Sequence, residues 1–177
     1  MKLRELKIED APLMLEWMHD EEVVRDLKKD FRSMTLDDCV RFIEMSRIAS
    51  GLIKSNIGVN IGGAMHLAIA GDGDKYMGTV SLKEIDRKKG CAEFGITLRR
   101  EAMGKGFASY AMQEILKLGT EEMGINLIYW CVDPENERAI RFYEKNEYKR
   151  IDCDELDVKL EYTDKEKERY IWYAYRK

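Results

Sequence analysis

Apolar and polar positions along the chain alternate at first and then fall into step with a helix. Lys2–Ile8 alternates, which predicts an opening strand. Asp10 stands where a helix cap belongs, ahead of Leu13, Met14, Trp17 and Met18, which are spaced as one apolar face. A second helix is predicted from about Thr35, carrying Leu36, Val40, Ile43 and Ile48 on its buried side. The stretch Ser50–Gly63, rich in glycine and asparagine, has no period and reads as a loop.

Three short apolar runs follow, with turn residues between them. His66–Ala70 leads into GDGDK, Tyr76–Leu82 leads into a charged turn ending at Lys89–Gly90, and Cys91–Leu98 is the third. Asp–Gly turns between such runs mark hairpins, so this part is an antiparallel meander. The order then becomes helix (Gly104–Glu122), strand (Leu127–Val132), helix (Pro134–Lys145). A strand that reaches the next strand through a helix makes a parallel pair. LIYWCV is apolar throughout, as suits a strand covered on both faces. Two last strands, about Tyr148–Val158 and Tyr170–Tyr175, flank KLEYTDKEKER, read as a solvated connection. The fold class is α+β: a mixed, mostly antiparallel sheet of six to seven strands with flanking helices. The 177 residues suit one domain, 1–177.

Composition narrows the function classes. The chain is 45% hydrophobic and 36% charged, as in globular proteins. No apolar run approaches the roughly 20 residues that span a bilayer, so no membrane partner is expected. MKLRELKIED lacks the pattern of a secretion signal. The four cysteines are scattered without a CxxC pair, which predicts a reduced, cytoplasmic protein with neither disulfides nor a metal site. A net charge of −4 argues against nucleic acid as a partner.

The densest chemistry lies in LRREAMGKGFASYAM, residues 98–112. It fits neither a P-loop, because Gly106 follows Lys105 where Ser or Thr is needed, nor a dinucleotide fingerprint, because Ser109 holds the third glycine's place. What remains is a strand end, a turn and a helix opening on Gly104-Lys105-Gly106. The first N–H groups of a helix lack partners within it, and its dipole favours negative charge there. Without side chains at 104 and 106 a phosphate can approach closely, with Arg99, Arg100 and Lys105 adding positive charge. The alternative is that these glycines serve a tight turn or close packing. A second cluster, PENERAIRFYEK, sets Asn136, Ala139, Ile140 and Tyr143 at i, i+3, i+4 and i+7 on one helical face.

Together, EFGITLRREAMGKGFASYAM and NERAIRFYEKNEY resemble the acetyl-CoA-binding segments of the GNAT superfamily of N-acetyltransferases. The glycine motif followed by Phe-Ala is most similar to the branch with the ribosomal-protein N-terminal acetyltransferases. The resemblance covers about residues 91–150, and the element order agrees over nearly the whole chain. It implies that Gly104, Gly106, Phe107 and Ala108 offer backbone N–H groups to the coenzyme A pyrophosphate. It implies that Ile96–Leu98 pairs with the pantetheine arm, that Asn136 hydrogen-bonds that arm near Ala139, and that Tyr143 faces the sulfur. Acetyl-CoA would be the co-substrate. Two positions depart from the family pattern: Glu101 stands where Gln or Arg is usual, and Glu147 where the second helix usually ends in glycine, with Asn146 available for the left-handed turn.

The chemistry then has named candidates. An alkylammonium of pKa about 10.4 leaves roughly one molecule in two thousand neutral at pH 7, so acetyl transfer needs a base or water. Glu93, the one carboxylate in an apolar strand, is the candidate base, or else part of a salt bridge on the open face. Tyr143 is the candidate acid for the departing thiolate. His19 and His66 lack a partner motif and read as structural. Asp20-Glu21-Glu22 could meet a cationic acceptor but suits a solvated helix end. Trp17 and Phe31 belong to the core rather than to an acceptor pocket. The reading is an N-acetyltransferase acting on a primary amine: a peptide N-terminus, an amino sugar, a polyamine or another small amine. The alternative is a non-catalytic acetyl-CoA-binding sensor. Exposed edge strands of such a fold admit a homodimer.

Overall fold

The structure, a computed structural model, describes residues 1–54, 63–158 and 160–177. In chain order the elements are β1 (Lys2–Glu5), α1 (Ala11–Met18), α2 (Glu21–Val24), α3 (Leu36–Lys54), β2 (Gly63–Ala70), β3 (Tyr76–Asp86), β4 (Cys91–Leu98), α4 (Phe107–Lys117), β5 (Leu127–Val132), α5 (Glu137–Lys145), β6 (Arg150–Ile151), α6 (Asp164–Arg169) and β7 (Ile171–Arg176). The strands form one seven-stranded sheet in the order β1-β2-β3-β4-β5-β7-β6. Pairing is antiparallel except between β4 and β5, as the strand-helix-strand order requires.

Alternation along the strands divides the side chains between two covered faces. Val80 and Leu82 of β3, Phe94 of β4 and Trp130 of β5 pack against Met112 and Ile115 of α4 and Tyr143 of α5. On the other face α1 and α3 bury Met14, Trp17, Cys39 and Ile43 against Ala68 and Tyr76. Trp17 is core, its indole N–H donating to Tyr76 Oη at 3.0 Å, with Phe31 edge-on at 5.1 Å.

Several boundaries differ from the sequence reading. Asp10 does not cap α1; its buried carboxylate takes both terminal nitrogens of Arg4, at 2.7 and 2.8 Å, and the Lys7 N–H at 2.9 Å. It therefore ties β1 to the turn that follows. Ile48 is 59% exposed, because the core seam of α3 runs through Cys39 and Ile43 instead. Of the predicted loop Ser50–Gly63, residues 50–54 extend α3, Gly63 opens β2, and 55–62 lie outside the described residues. α4 starts at Phe107 rather than Gly104, and a wider π-type turn, Leu118–Glu122, ends it. α5 starts at Glu137, with Pro134 in the preceding turn.

At the far end of α5 it is Glu147, not Asn146, that takes the left-handed conformation, with φ +62°. The strand predicted over Tyr148–Val158 shrinks to Arg150–Ile151. KLEYTDKEKER holds α6, whose cap is Thr163: its hydroxyl accepts from the Glu166 N–H while the Glu166 carboxylate accepts from the Thr163 N–H. Among the described residues no helix is long and apolar enough to cross a membrane.

Candidate active site

The chain leaves β4 at Leu98 and turns through Arg100–Ala102 into an exposed Gly104-Lys105-Gly106. Both glycines are left-handed, with φ +73° and +83°. A Cβ at Gly104 would meet nothing within 4 Å, and one at Gly106 only Met1 Cε at 3.9 Å. They therefore serve backbone conformation and open approach, not close packing. The first intrahelical bond of α4 runs from Tyr110 N–H to Gly106 carbonyl, at 3.1 Å. The N–H groups of Gly106, Phe107 and Ala108 have no acceptor among the described residues. A helix tip in this state binds anions.

The positive charge around it is redistributed relative to expectation. Arg99 is a correction: its guanidinium is buried, Nη2 meets both oxygens of Glu16 at 2.8 Å, and Nη1 donates to the Tyr76 carbonyl at 3.1 Å and to Glu101. It fastens α1 to the end of β4 and has no donor left for a phosphate. Glu101, the departure from the family pattern, serves this network and also pairs with Lys75 at 2.9 Å. Arg100 pairs with Asp20. Lys105 remains exposed beside the glycines. Arg138, on the first turn of α5, reaches Met103 Sδ at 2.7 Å, next to the glycine turn. The sequence reading passed over Arg138, since only the fold brings α5 to this turn.

From the same end of β4 the sheet parts. β3 pairs with β4 as far as Gly78↔Leu98, but β5 pairs with β4 only through Cys91↔Leu127, Ala92↔Ile128 and Glu93↔Tyr129. Both strands continue, β4 to Leu98 and β5 to Val132, so beyond Glu93 the β5-side edge of β4 has no strand beside it among the described residues. Burial follows: Cys91–Phe94 are buried, whereas Gly95, Ile96, Thr97 and Leu98 are half-buried. An open edge of this kind pairs with an extended ligand as an added strand.

Tyr143 lies on the α4/α5 side of that gap. Its ring packs at 5.4 Å from Trp130, 5.0 Å from Tyr173 and 5.3 Å from Phe142. Burial first, then neighbouring Tyr173, push its phenol well above the ordinary range. Its hydroxyl makes no hydrogen bond among the described residues and, unlike Tyr173 Oη, is not sealed from solvent. Trp130 Nε1 is buried and has no partner among the described residues, an unusual state for an indole N–H. Asn136 is the cap of α5: its Oδ1 accepts from the Ala139 N–H at 3.0 Å, which leaves only its amide N–H groups for a ligand.

Glu93 lies on the opposite face, in one row with Lys83 and Tyr129. It is buried and ion-paired: Oε1 accepts from Lys83 Nζ at 2.5 Å and from Tyr162 Oη at 3.1 Å. The salt bridge, set from the sequence as the alternative to a base role, is present, but it is buried rather than on an open face. Tyr162 also went unread, because 69 residues separate it from Glu93. One row along, His66 Nδ1 lies 2.7 Å from Ser81 Oγ, and burial with nearby Lys83 holds the imidazole down at about 4. Asp20 and Glu21 are engaged by Arg100 and Arg32, as a solvated helix end would be.

The fit to an acyl-CoA thus rests on three observations: unpartnered N–H groups at an exposed helix tip, an unpaired strand edge leading from it, and an orphaned buried donor at Trp130 near the far end. A mixed sheet whose parallel pair parts in this way is the frame of an acyl-CoA-dependent acyltransferase. Residues 1–149 match the family model described as an acetyltransferase (GNAT) domain, and the chain belongs to that family. It is an acetyl-CoA-dependent N-acetyltransferase, as the resemblance implied.

Among known proteins it is similar to the "Uncharacterized N-acetyltransferase p20" of Bacillus licheniformis, 29% identical over 143 residues covering 80% of this chain and 74% of that one. It is also similar to the spermidine N(1)-acetyltransferase of Escherichia coli (strain K12), 39% identical over 74 residues, spanning 42% of this chain and 39% of that enzyme. The Vibrio cholerae spermidine N-acetyltransferase, solved in complex with CoA and spermine, superposes with a TM-score of 0.70 at 19% identity, over 99% of this chain and 94% of that one. At that identity the likeness is one of fold.

Proposed function

We propose that the chain transfers the acetyl group of acetyl-CoA to a primary amine of a small polycationic molecule, in the manner of a polyamine acetyltransferase. The parting of β4 and β5 after Glu93 carries the proposal, because it sets a phenol on one side of the opening and a carboxylate on the other. The relative that acts on spermidine supports the acceptor class.

Gly104, Gly106, Phe107 and Ala108 would hold the diphosphate through N–H groups, with Lys105 and Arg138 supplying charge. Ile96 and Leu98 would offer main-chain groups to the arm, and the Asn136 amide one donor more. When bound, acetyl-CoA supplies an activated thioester. Glu93 takes the proton of the acceptor ammonium. Tyr143, kept protonated by burial, donates to the departing sulfur. All four cysteines are free thiols, which supports a reducing compartment such as the cytoplasm.

The test measures thiol release from acetyl-CoA against a panel of spermidine, spermine, an amino sugar and a short peptide, with mass analysis of each product. Polyamines should accelerate release most. Release that no amine accelerates, despite tight coenzyme binding, would replace catalysis by a sensing role.

A further inference from the structure

Tyr162 lies in the connection between β6 and α6, far from β4 in sequence, yet its hydroxyl meets the carboxylate that the proposed function makes the base. Both donors to Glu93, Lys83 Nζ and Tyr162 Oη, converge on Oε1. Oε2 has no partner among the described residues. Two donors on one oxygen fix the plane of the carboxylate and leave the lone pairs of the other oxygen for an incoming ammonium.

Tyr162 is itself held on several sides. Lys28 Nζ lies 3.8 Å above its ring and pairs with Glu166 at 3.1 Å. Trp172 and Tyr170 pack edge-on at 5.1 and 6.0 Å. A ring fixed by a cation above and two aromatics at its edges presents its hydroxyl in one direction.

We propose that Tyr162 is a positioning residue for acetyl transfer: with Lys83 it pins Oε1 of Glu93 so that Oε2 takes the acceptor's proton. This role rests on the base assignment made above. The charged and titratable groups that interact with Glu93 are Lys83 and Glu84 from β3, Tyr129 and Cys131 from β5, and Tyr162 from the connection; Glu161 lies near Glu84, and Lys28, from the segment after α2, near Tyr162 and Cys131. A hydroxyl donor favours the charged form of a carboxylate, and its removal favours the neutral form. Tyr162→Phe keeps the ring in its packing and deletes only the donor.

The experiment measures kcat/KM for acetyl transfer to spermidine, or to the panel amine turned over fastest, as a function of pH. Wild type, Tyr162→Phe, Glu93→Gln and the double variant are compared. Tyr162→Phe should move the acid limb up by about one pH unit, roughly a tenfold loss of rate at a pH on that limb. Lys83→Met, which removes the other donor to Oε1, should move it the same way. In the Glu93→Gln background, Tyr162→Phe should cause no further loss, because the group it aims is gone. An unmoved limb, or an equal loss with and without Glu93, overturns the positioning role while acetyl transfer itself stands. If no amine is turned over by wild type, acetyl transfer falls first and this role falls with it.

Discussion

Gly106 offers the most direct trial of the anion-binding tip. Its φ of +83° lies where an L-residue costs roughly 1–2 kcal/mol, so Gly106→Ala should lower the melting temperature by about 2–8 °C in a chain of this size. Crowding adds nothing large, since the nearest heavy atom to the new methyl is 3.9 Å away. The larger effect falls on binding. If the turn relaxes so that one N–H no longer meets the diphosphate, a charge-assisted bond worth about 1.5–3 kcal/mol is lost, which weakens acetyl-CoA binding roughly tenfold to a hundredfold.

Isothermal titration with acetyl-CoA reads this loss. S-acetylpantetheine, which lacks the diphosphate, should be used equally by variant and wild type. A variant that binds acetyl-CoA like wild type, or that loses both donors equally, would refute a diphosphate grip at this turn.

Three further outcomes follow from the geometry. Tyr143→Phe preserves the packing against Trp130 and removes the donor, so stopped-flow turnover should fall by about a hundredfold while coenzyme affinity changes little. Unchanged turnover would remove Tyr143 from the acid role. His66, held at about 4 against 6.5 when unfolded, binds its proton less readily in the native state. It therefore contributes stability that is fully present above pH 6.5 and is lost as pH falls toward 4, by ~2 kcal/mol after discounting for partial exposure. His66→Gln should flatten the decline of melting temperature between pH 7 and 4.5, and an identical decline would refute the sign. Glu147→Gly relieves a left-handed residue at the end of α5 and should raise the melting temperature by about 2 °C, the gain being limited by the freer unfolded chain.

How much of this was legible in the sequence depends on the range of each interaction. LIYWCV announced a strand covered on both faces, and β5 occupies those six residues. The exposed glycines are a local feature and stand out in the sequence, whereas Asn136, placed there on a helical face, is instead the cap of α5. Arg99 was misjudged because a cation beside a glycine turn looks free until α1 brings Glu16 to it, 83 residues away. Asp10 and Ile48 erred for the same reason: a local pattern was read correctly, but a distant partner or a rotated seam decided the outcome. α6, by contrast, carries a local signal of its own, since Thr163 and Glu166 form a readable capping box within the segment read as a solvated connection.

The bare edge of β4 carries an evolutionary consequence. Main-chain amides are identical whatever residue bears them, so a groove lined by them passes unchanged through most substitutions that leave the strand extended. If that edge holds the coenzyme arm as proposed, descendants are free to rewrite the acceptor side while keeping the strand. A shared architecture with the Vibrio cholerae enzyme at 19% identity is what such latitude would produce.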